Sequence, residues 1–211
     1  TNTCTNSATT SIVVDNLAPA AASGSDVCEG ATITLSTSGG GTYSWSGPGG
    51  FSSAIANPTR TNATIAMAGT YSVTVTATNS CTQTGTATVV VRTNPVVTTT
   101  GSNVCEGATI TLSATGGGSY SWAGPATFSS TIAAPTRANA TTAMAGIYSV
   151  TVTGTNSCTQ TGTTTVSVRT NPIVTSTGSD VCEGATITLS TTGGGSYSWT
   201  GPDNFSSTIA N

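Results

Sequence analysis

One stretch of sequence is written almost three times in this chain, at a period of 77 residues. Residues 24–100 and 101–177 agree at 60 of 77 positions, and 178–211 open a third copy. Cys4 lies one period before Cys81, so residues 1–23 read as the tail of an earlier copy. A fixed period of this length excludes one large shared core: each copy has to bury its own, near the lower size limit for an independent domain. The pattern is that of a tandem array, an architecture suited to spacers, fibres and multivalent surfaces. The ragged ends read as a window cut from a longer chain.

Charge is nearly absent, which removes whole classes of function. The chain has four Lys plus Arg, seven Asp plus Glu, no His and a net charge of −3. Nucleic acid is not expected as a partner, because a phosphate backbone needs clustered cations. Seven scattered acidic groups also make only a weak steering field. No run of about 20 apolar residues is present, so no membrane-spanning helix is expected in this segment.

Along one copy the apolar residues alternate with period two and never sustain a helical period. Ala31–Thr37 puts Ile33 and Leu35 on one face, Thr42–Ser46 does the same for Tyr43 and Trp45, and Gly39–Gly41 turns the chain between them. Asn62–Ala66 is a short candidate strand, Thr70–Ala77 points Tyr71, Val73 and Val75 inward, and Thr86–Arg92 is rich in Val. After an Arg-Thr-Asn linker, Pro95–Thr100 begins the next copy. The β-branched Thr at outward positions suits a solvated strand. Six or seven short strands per copy, separated by Gly, Pro and Asn, predict an all-β sandwich.

Cys28-Glu29-Gly30, Ile33-Thr34-Leu35, Tyr43-Ser44-Trp45 with Gly47-Pro48, Ala68 to Val73, and Asn79-Ser80-Cys81 together carry a family resemblance. They resemble the immunoglobulin-like and PKD-like repeats of large Bacteroidetes-type secreted surface proteins, adhesins and gliding-motility proteins exported by the type IX system among them. The resemblance covers both full copies and both partial ones. It implies tandem immunoglobulin-like β-sandwich domains with a 77-residue repeat: a repeat tail, linker and first strand at 1–23, domains at 24–93 and 94–170, and the first strands of another at 171–211. Trp45, Trp122 and Trp199 resemble the core Trp of strand C, and Tyr71 and Tyr148 the Tyr of the strand F corner. The usual disulfide between strands B and F is missing; its two positions resemble Thr37 and Val73.

Six cysteines, at 4, 28, 81, 105, 158 and 182, form two series of period 77. In the fold implied by the resemblance, Cys28 and Cys81 sit at opposite ends of a domain, about 25 Å apart along a strand. A disulfide tolerates about 4.4–6.8 Å between Cα atoms. Stacked domains of this type bring the corner of one against the strand F–G loop of the next, which implies a cross-domain bond from Cys28 to Cys158. Cys4, Cys81, Cys105 and Cys182 are then expected to bond to repeats outside the segment. The alternative, Cys28 with Cys81 and Cys105 with Cys158, stays open, since fifteen pairings exist for six cysteines. Either disulfide reading implies an oxidising, extracellular location at the cell surface.

Catalysis finds few titratable partners in any copy, and no enzyme activity or cofactor is expected. The Gly runs lead from strand to strand without a helix or Lys, so they are turns rather than phosphate cradles. A calcium site would want several carboxylates, but Asp26 of one copy is Asn103 in the next, and no metal site is assigned. Glu29 with Arg92, and Glu106 with Arg169, are candidate ion pairs. The Thr rows are the ordinary filling of a solvated strand. Phe51, Phe128 and Phe205, after Gly-Pro or close to it, are candidate lateral contacts, packing being the alternative. The resulting expectation is a structural repeat segment of a long extracellular filament or stalk, stiffened by disulfides. Its partners would be neighbouring repeats of the same chain or identical chains. The competing expectation is a multivalent adhesin binding a surface or glycan.

Overall fold

The computed structural model describes residues 1–12, 14 and 20–210. Residues 15–19, within the predicted linker after the first repeat tail, lie outside the described residues, as does Asn211. The chain divides into two compact units, one of Thr1–Val96 with Thr153–Gln160, the other of Val97–Val152 with Thr161–Asn211. A short hairpin from the second copy thus belongs to the first unit.

In the first unit the strands are β1 (Ala22–Gly24), β2 (Val27–Cys28), β3 (Ile33–Thr37), β4 (Thr42–Gly47), β5 (Phe51–Ser53), β6 (Thr59–Arg60), β7 (Gly69–Thr76), β8 (Thr82–Val89) and β9 (Val91–Arg92). One sheet has the order β1-β3-β6 and the other β5-β4-β7-β8, both antiparallel, while β2 runs parallel to β9. This is the immunoglobulin arrangement: A-B-E faces C′-C-F-G, and the leading strand crosses over to pair with G. Inward residues of both sheets make the core, with Ile33, Leu35, Trp45, Tyr71, Val73 and Val89 each 2% exposed or less.

The outward face of the larger sheet is made of hydroxyl side chains. Thr42, Ser44 and Ser46 of β4 lie opposite Thr76, Thr74 and Ser72 of β7. The β7 row Thr70, Ser72, Thr74 and Thr76 in turn lies opposite Thr88, Thr86, Thr84 and Thr82 of β8, and Ser52 of β5 continues the row from Ser46. Side-chain alternation with period two puts every bulky apolar residue of these strands on the opposite face.

The second unit repeats this order with β10 (Thr99–Gly101), β11 (Val104–Cys105), β12 (Ile110–Ala114), β13 (Ser119–Gly124), β14 (Phe128–Ser130), β15 (Thr136–Arg137), β16 (Gly146–Thr153), β17 (Thr159–Val166) and β18 (Val168–Arg169). Its sheets are β10-β12-β15 and β14-β13-β16-β17, with β11 parallel to β18. Trp122, Tyr148, Val150 and Val152 fill its core. The third copy contributes β19 (Thr175–Gly178) paired with β20 (Leu189–Thr192), and β21 (Trp199–Thr200) paired with β22 (Ser206–Ser207). Both described units are therefore all-β immunoglobulin-like sandwiches.

Several boundaries differ from the sequence expectation. Asn62–Ala66 is not a strand: Asn62 has φ 53°, and Ile65–Met67 forms a 3₁₀ turn. The strand in this region is Thr59–Arg60, paired with β3. A domain start at residue 24 cuts through β1, and Ala20, four residues earlier, is already core at 8% exposed. The hairpin at 153–160 belongs with the first unit rather than with a 94–170 domain.

Candidate functional site

At the corner where β2 meets β9, Val27 lies opposite Val91 and Cys28 opposite Arg92. The N–H of Val27 donates to the Val90 carbonyl and that of Glu29 to the Arg92 carbonyl, each at 2.9 Å. Asp26 precedes this short ladder and closes it. Its Oδ1 accepts the Val90 N–H at 3.0 Å, and its Oδ2 pairs with the Arg92 guanidinium at 3.2 Å. The expected Glu29 to Arg92 pair is thus replaced by Asp26 to Arg92, because the parallel register sets Asp26 beside the β8–β9 junction. Glu29 uses its carbonyl, which accepts from Asn94 Nδ2 at 3.1 Å.

Cys28 is disulfide-bonded to Cys158, with Cα atoms 5.7 Å apart and a separation of 130 positions in sequence. Cys158 closes the tight turn between β16 and β17. Gly154 N–H donates to the Cys158 carbonyl at 2.8 Å, Ser157 N–H donates to the Gly154 carbonyl at 3.0 Å, and Ser157 takes φ 66°. The Asn156 side chain has two tasks: its Oδ1 accepts the Cys158 N–H at 3.1 Å, and its Nδ2 donates to the Thr93 carbonyl at 2.9 Å. Cys158 is fully buried, its sulfur 3.9 Å from the Arg92 carbonyl oxygen.

Pairing inside a repeat is excluded by the same strands. From Cys81 the chain runs through β8 and β9 to Arg92, beside Cys28, and eleven residues at about 3.3 Å each separate the two ends by roughly 35 Å. Cys81 sits in a turn built like that of Cys158, with Asn79 Oδ1 accepting its N–H at 3.1 Å. Cys4, Cys81, Cys105 and Cys182 are free and exposed.

A second constellation occurs once per unit. Arg60 Nη1 donates to the Pro48 carbonyl at 2.9 Å and to the Tyr71 hydroxyl at 2.6 Å, and that hydroxyl donates to the Met67 carbonyl at 2.8 Å. Its guanidinium carbon stands 5.0 Å over the Phe51 ring, which meets Tyr71 edge-on at 5.4 Å. Arg137, Pro125, Tyr148, Met144 and Phe128 reproduce this set. Such a cation over aromatic faces contributes about 0.5–2 kcal/mol. Gly47 makes it fit: a Cβ there would lie 2.4 Å from Tyr71 Cδ1.

Phe51 and Phe128, expected as lateral contacts, are therefore turned inward and engaged by Arg and Tyr of their own unit. Phe205 stays 45% exposed. Trp45 and Trp122, expected as core, are buried, and Tyr71 and Tyr148 fully so. Trp199, expected as core, is only half-buried, and Ile187 and Ile209 of the same copy are exposed. Arg60 and Arg137 hold these clusters together without figuring in the sequence expectation. The signal was available in two of only four cations recurring one period apart with a Phe and a Tyr.

Among the described residues no three His, Cys, Asp or Glu side chains converge on a common point, and no helix is long and apolar enough to cross a membrane. No family model matches the chain. No curated protein matches it either. Among solved structures it is similar to the three N-terminal domains of the highly immunogenic outer capsid protein Hoc of bacteriophage RB49, at 19% identity over 90% of this chain and 78% of that one, with a TM-score of 0.36. Murine CEACAM1b is similar at 13% identity over 70% and 98% of the two chains, TM-score 0.33. The amphioxus IgVJ-C2 molecule is similar at 17% identity over 66% and 97%, TM-score 0.32. The fold assignment rests on the strand order of each unit, A-B-E against C′-C-F-G with the crossed leading strand, and on its Tyr corner.

Proposed function

We propose that this chain is a structural repeat segment of a long extracellular filament or stalk on a bacterial cell surface, its repeats joined covalently by disulfides. The observation that carries this reading is the bond from Cys28, in the first copy of the sequence, to Cys158, in the second. A bond of that kind has a use in a string of repeats and none in an isolated domain. It also belongs in an oxidising compartment. Applied along the array, the same offset of 130 residues assigns Cys105 and Cys182 to hairpin cysteines of later copies, and Cys4 and Cys81 to corner cysteines of earlier ones. Neighbouring repeats, and identical chains lying alongside, are the partners this reading requires.

The test is immunogold electron microscopy of intact source cells with antibodies raised against this segment, together with non-reducing peptide mapping of the shed material. Label distributed along fibres, and a peptide pair containing Cys28 and Cys158, support the proposal. Label confined to the cell interior overturns it. A multivalent adhesin binding glycans is the competing outcome, read from saturable binding of the purified segment to a glycan array.

A further inference from the structure

The disulfide has a mechanical consequence that goes beyond a structural role, and it rests on the reading of the chain as part of a filament. Cys28 and Cys158 close a covalent loop that contains residues 29–157. Everything from β3 through β16 lies inside it, including the buried residues Ile33, Trp45, Tyr71, Trp122 and Tyr148. Tension applied outside the loop passes from residue 28 through the sulfur atoms to residue 158. The strands inside are not in the load path.

Beyond the disulfide, the load enters β17 directly, since Thr159 follows Cys158. The load then runs along β17 and β18, Thr159–Val166 and Val168–Arg169. These strands already rise about 3.3 Å per residue, close to the limit of an extended chain. Pulling them along their length releases almost no slack.

We infer that this segment is a length-limited tether, whose disulfide carries tension past the residues between Cys28 and Cys158 so that load cannot extend them, while β1, β2, β17 and β18 outside the loop stay in the load path. Without the bond, pulling the ends would release the whole chain. With it, the stretch from Cys28 to Cys158, 130 positions along the chain, contributes only the 5.7 Å between their Cα atoms. At about 3.3–3.6 Å per residue, the withheld length is about 430–470 Å.

The experiment is single-molecule pulling of the full segment through tags fused at its two ends, with the exposed thiols alkylated, before and after reduction. The oxidised protein is expected to reach a full extension about 430–470 Å shorter than the reduced one, with no lengthening step from residues inside the loop. The Cys28→Ser variant is expected to lose the whole difference. Because the readout is length at full extension, it does not depend on that variant folding. Equal lengths in the two states overturn the proposal. So does a deficit near 350–380 Å, the sum of two 53-residue loops within repeats, of which Cys28→Ser would leave about half. Either result would take the disulfide staple out of the filament reading, whereas immunogold labelling of fibres tests the filament itself, so the two failures are told apart.

Discussion

Replacing both Cys28 and Cys158 by Ser removes the cross-link without leaving a stray thiol, and its cost can be worked from the loop it closes. In the chain-entropy description, a cross-link spanning 130 residues removes about 17 cal/mol/K from the unfolded chain, or about 5 kcal/mol at 25 °C. A repeat of this size has a total stability of about 4–12 kcal/mol, so the bond matters on the scale of the fold itself. At about 2–4 °C per kcal/mol for a chain of this length, the double variant should melt roughly 10–20 °C lower than the oxidised parent. The assay is thermal unfolding followed by tryptophan fluorescence, for which Trp45 and Trp122 are suited, being 1% and 2% exposed. Cys81→Ser and Cys105→Ser, at free and exposed positions, serve as controls and should leave the melting temperature within a degree or two. A double variant that melts with the parent would refute the reasoning, because the loop entropy would then have no counterpart in stability.

Gly47→Ala should destabilise the first unit by about 1–3 kcal/mol, since its Cβ would meet the buried Tyr71 ring at 2.4 Å, and Gly124→Ala should do the same to the second; urea midpoints read both. Gly40→Ala, with nothing within 4 Å of the new Cβ, should stay close to wild type in the same titration. Tyr71→Phe removes the hydroxyl that joins Arg60 to the Met67 carbonyl and should cost about 1–3 kcal/mol, measured by denaturant unfolding. Asp26→Asn should cost less than about 1 kcal/mol, because the pair with Arg92 is 40% and 43% exposed and Asn103 of the second copy already accepts the equivalent Ser167 N–H.

Legibility followed strand length. The alternation of Ile33 with Leu35 and of Tyr71 with Val73 and Val75 was enough to place β3 and β7, because several residues of one strand share one buried face. Strands of two or three residues, β2, β5 and β6, carry too few positions for a period to show. Asn62 misled for a different reason: a left-handed residue is invisible in a hydropathy pattern, although Asn is one of the residues that tolerates that conformation. The Arg60 cluster depends on side chains from three separate strands and on carbonyls from two 3₁₀ turns, at Pro48 and Met67, a meeting that topology creates and local pattern does not announce. The partner of Arg92 is Asp26 and not the expected Glu29, three residues away, because a parallel pairing between the first and last strands of a repeat has no local signature.

The hydroxyl-covered outer sheet of the first unit also decides which solvents the surface tolerates. Ion pairs and charged faces weaken as added salt shortens the Debye length, from about 30 Å at 0.01 M to about 3 Å at 1 M. Thr and Ser present no charge for ions to screen and no group that titrates near neutrality. An exterior tiled by Thr70, Thr74, Thr84 and Thr88 and their neighbours, on a chain with only eleven charged side chains, presents nearly the same surface in fresh water and in brine.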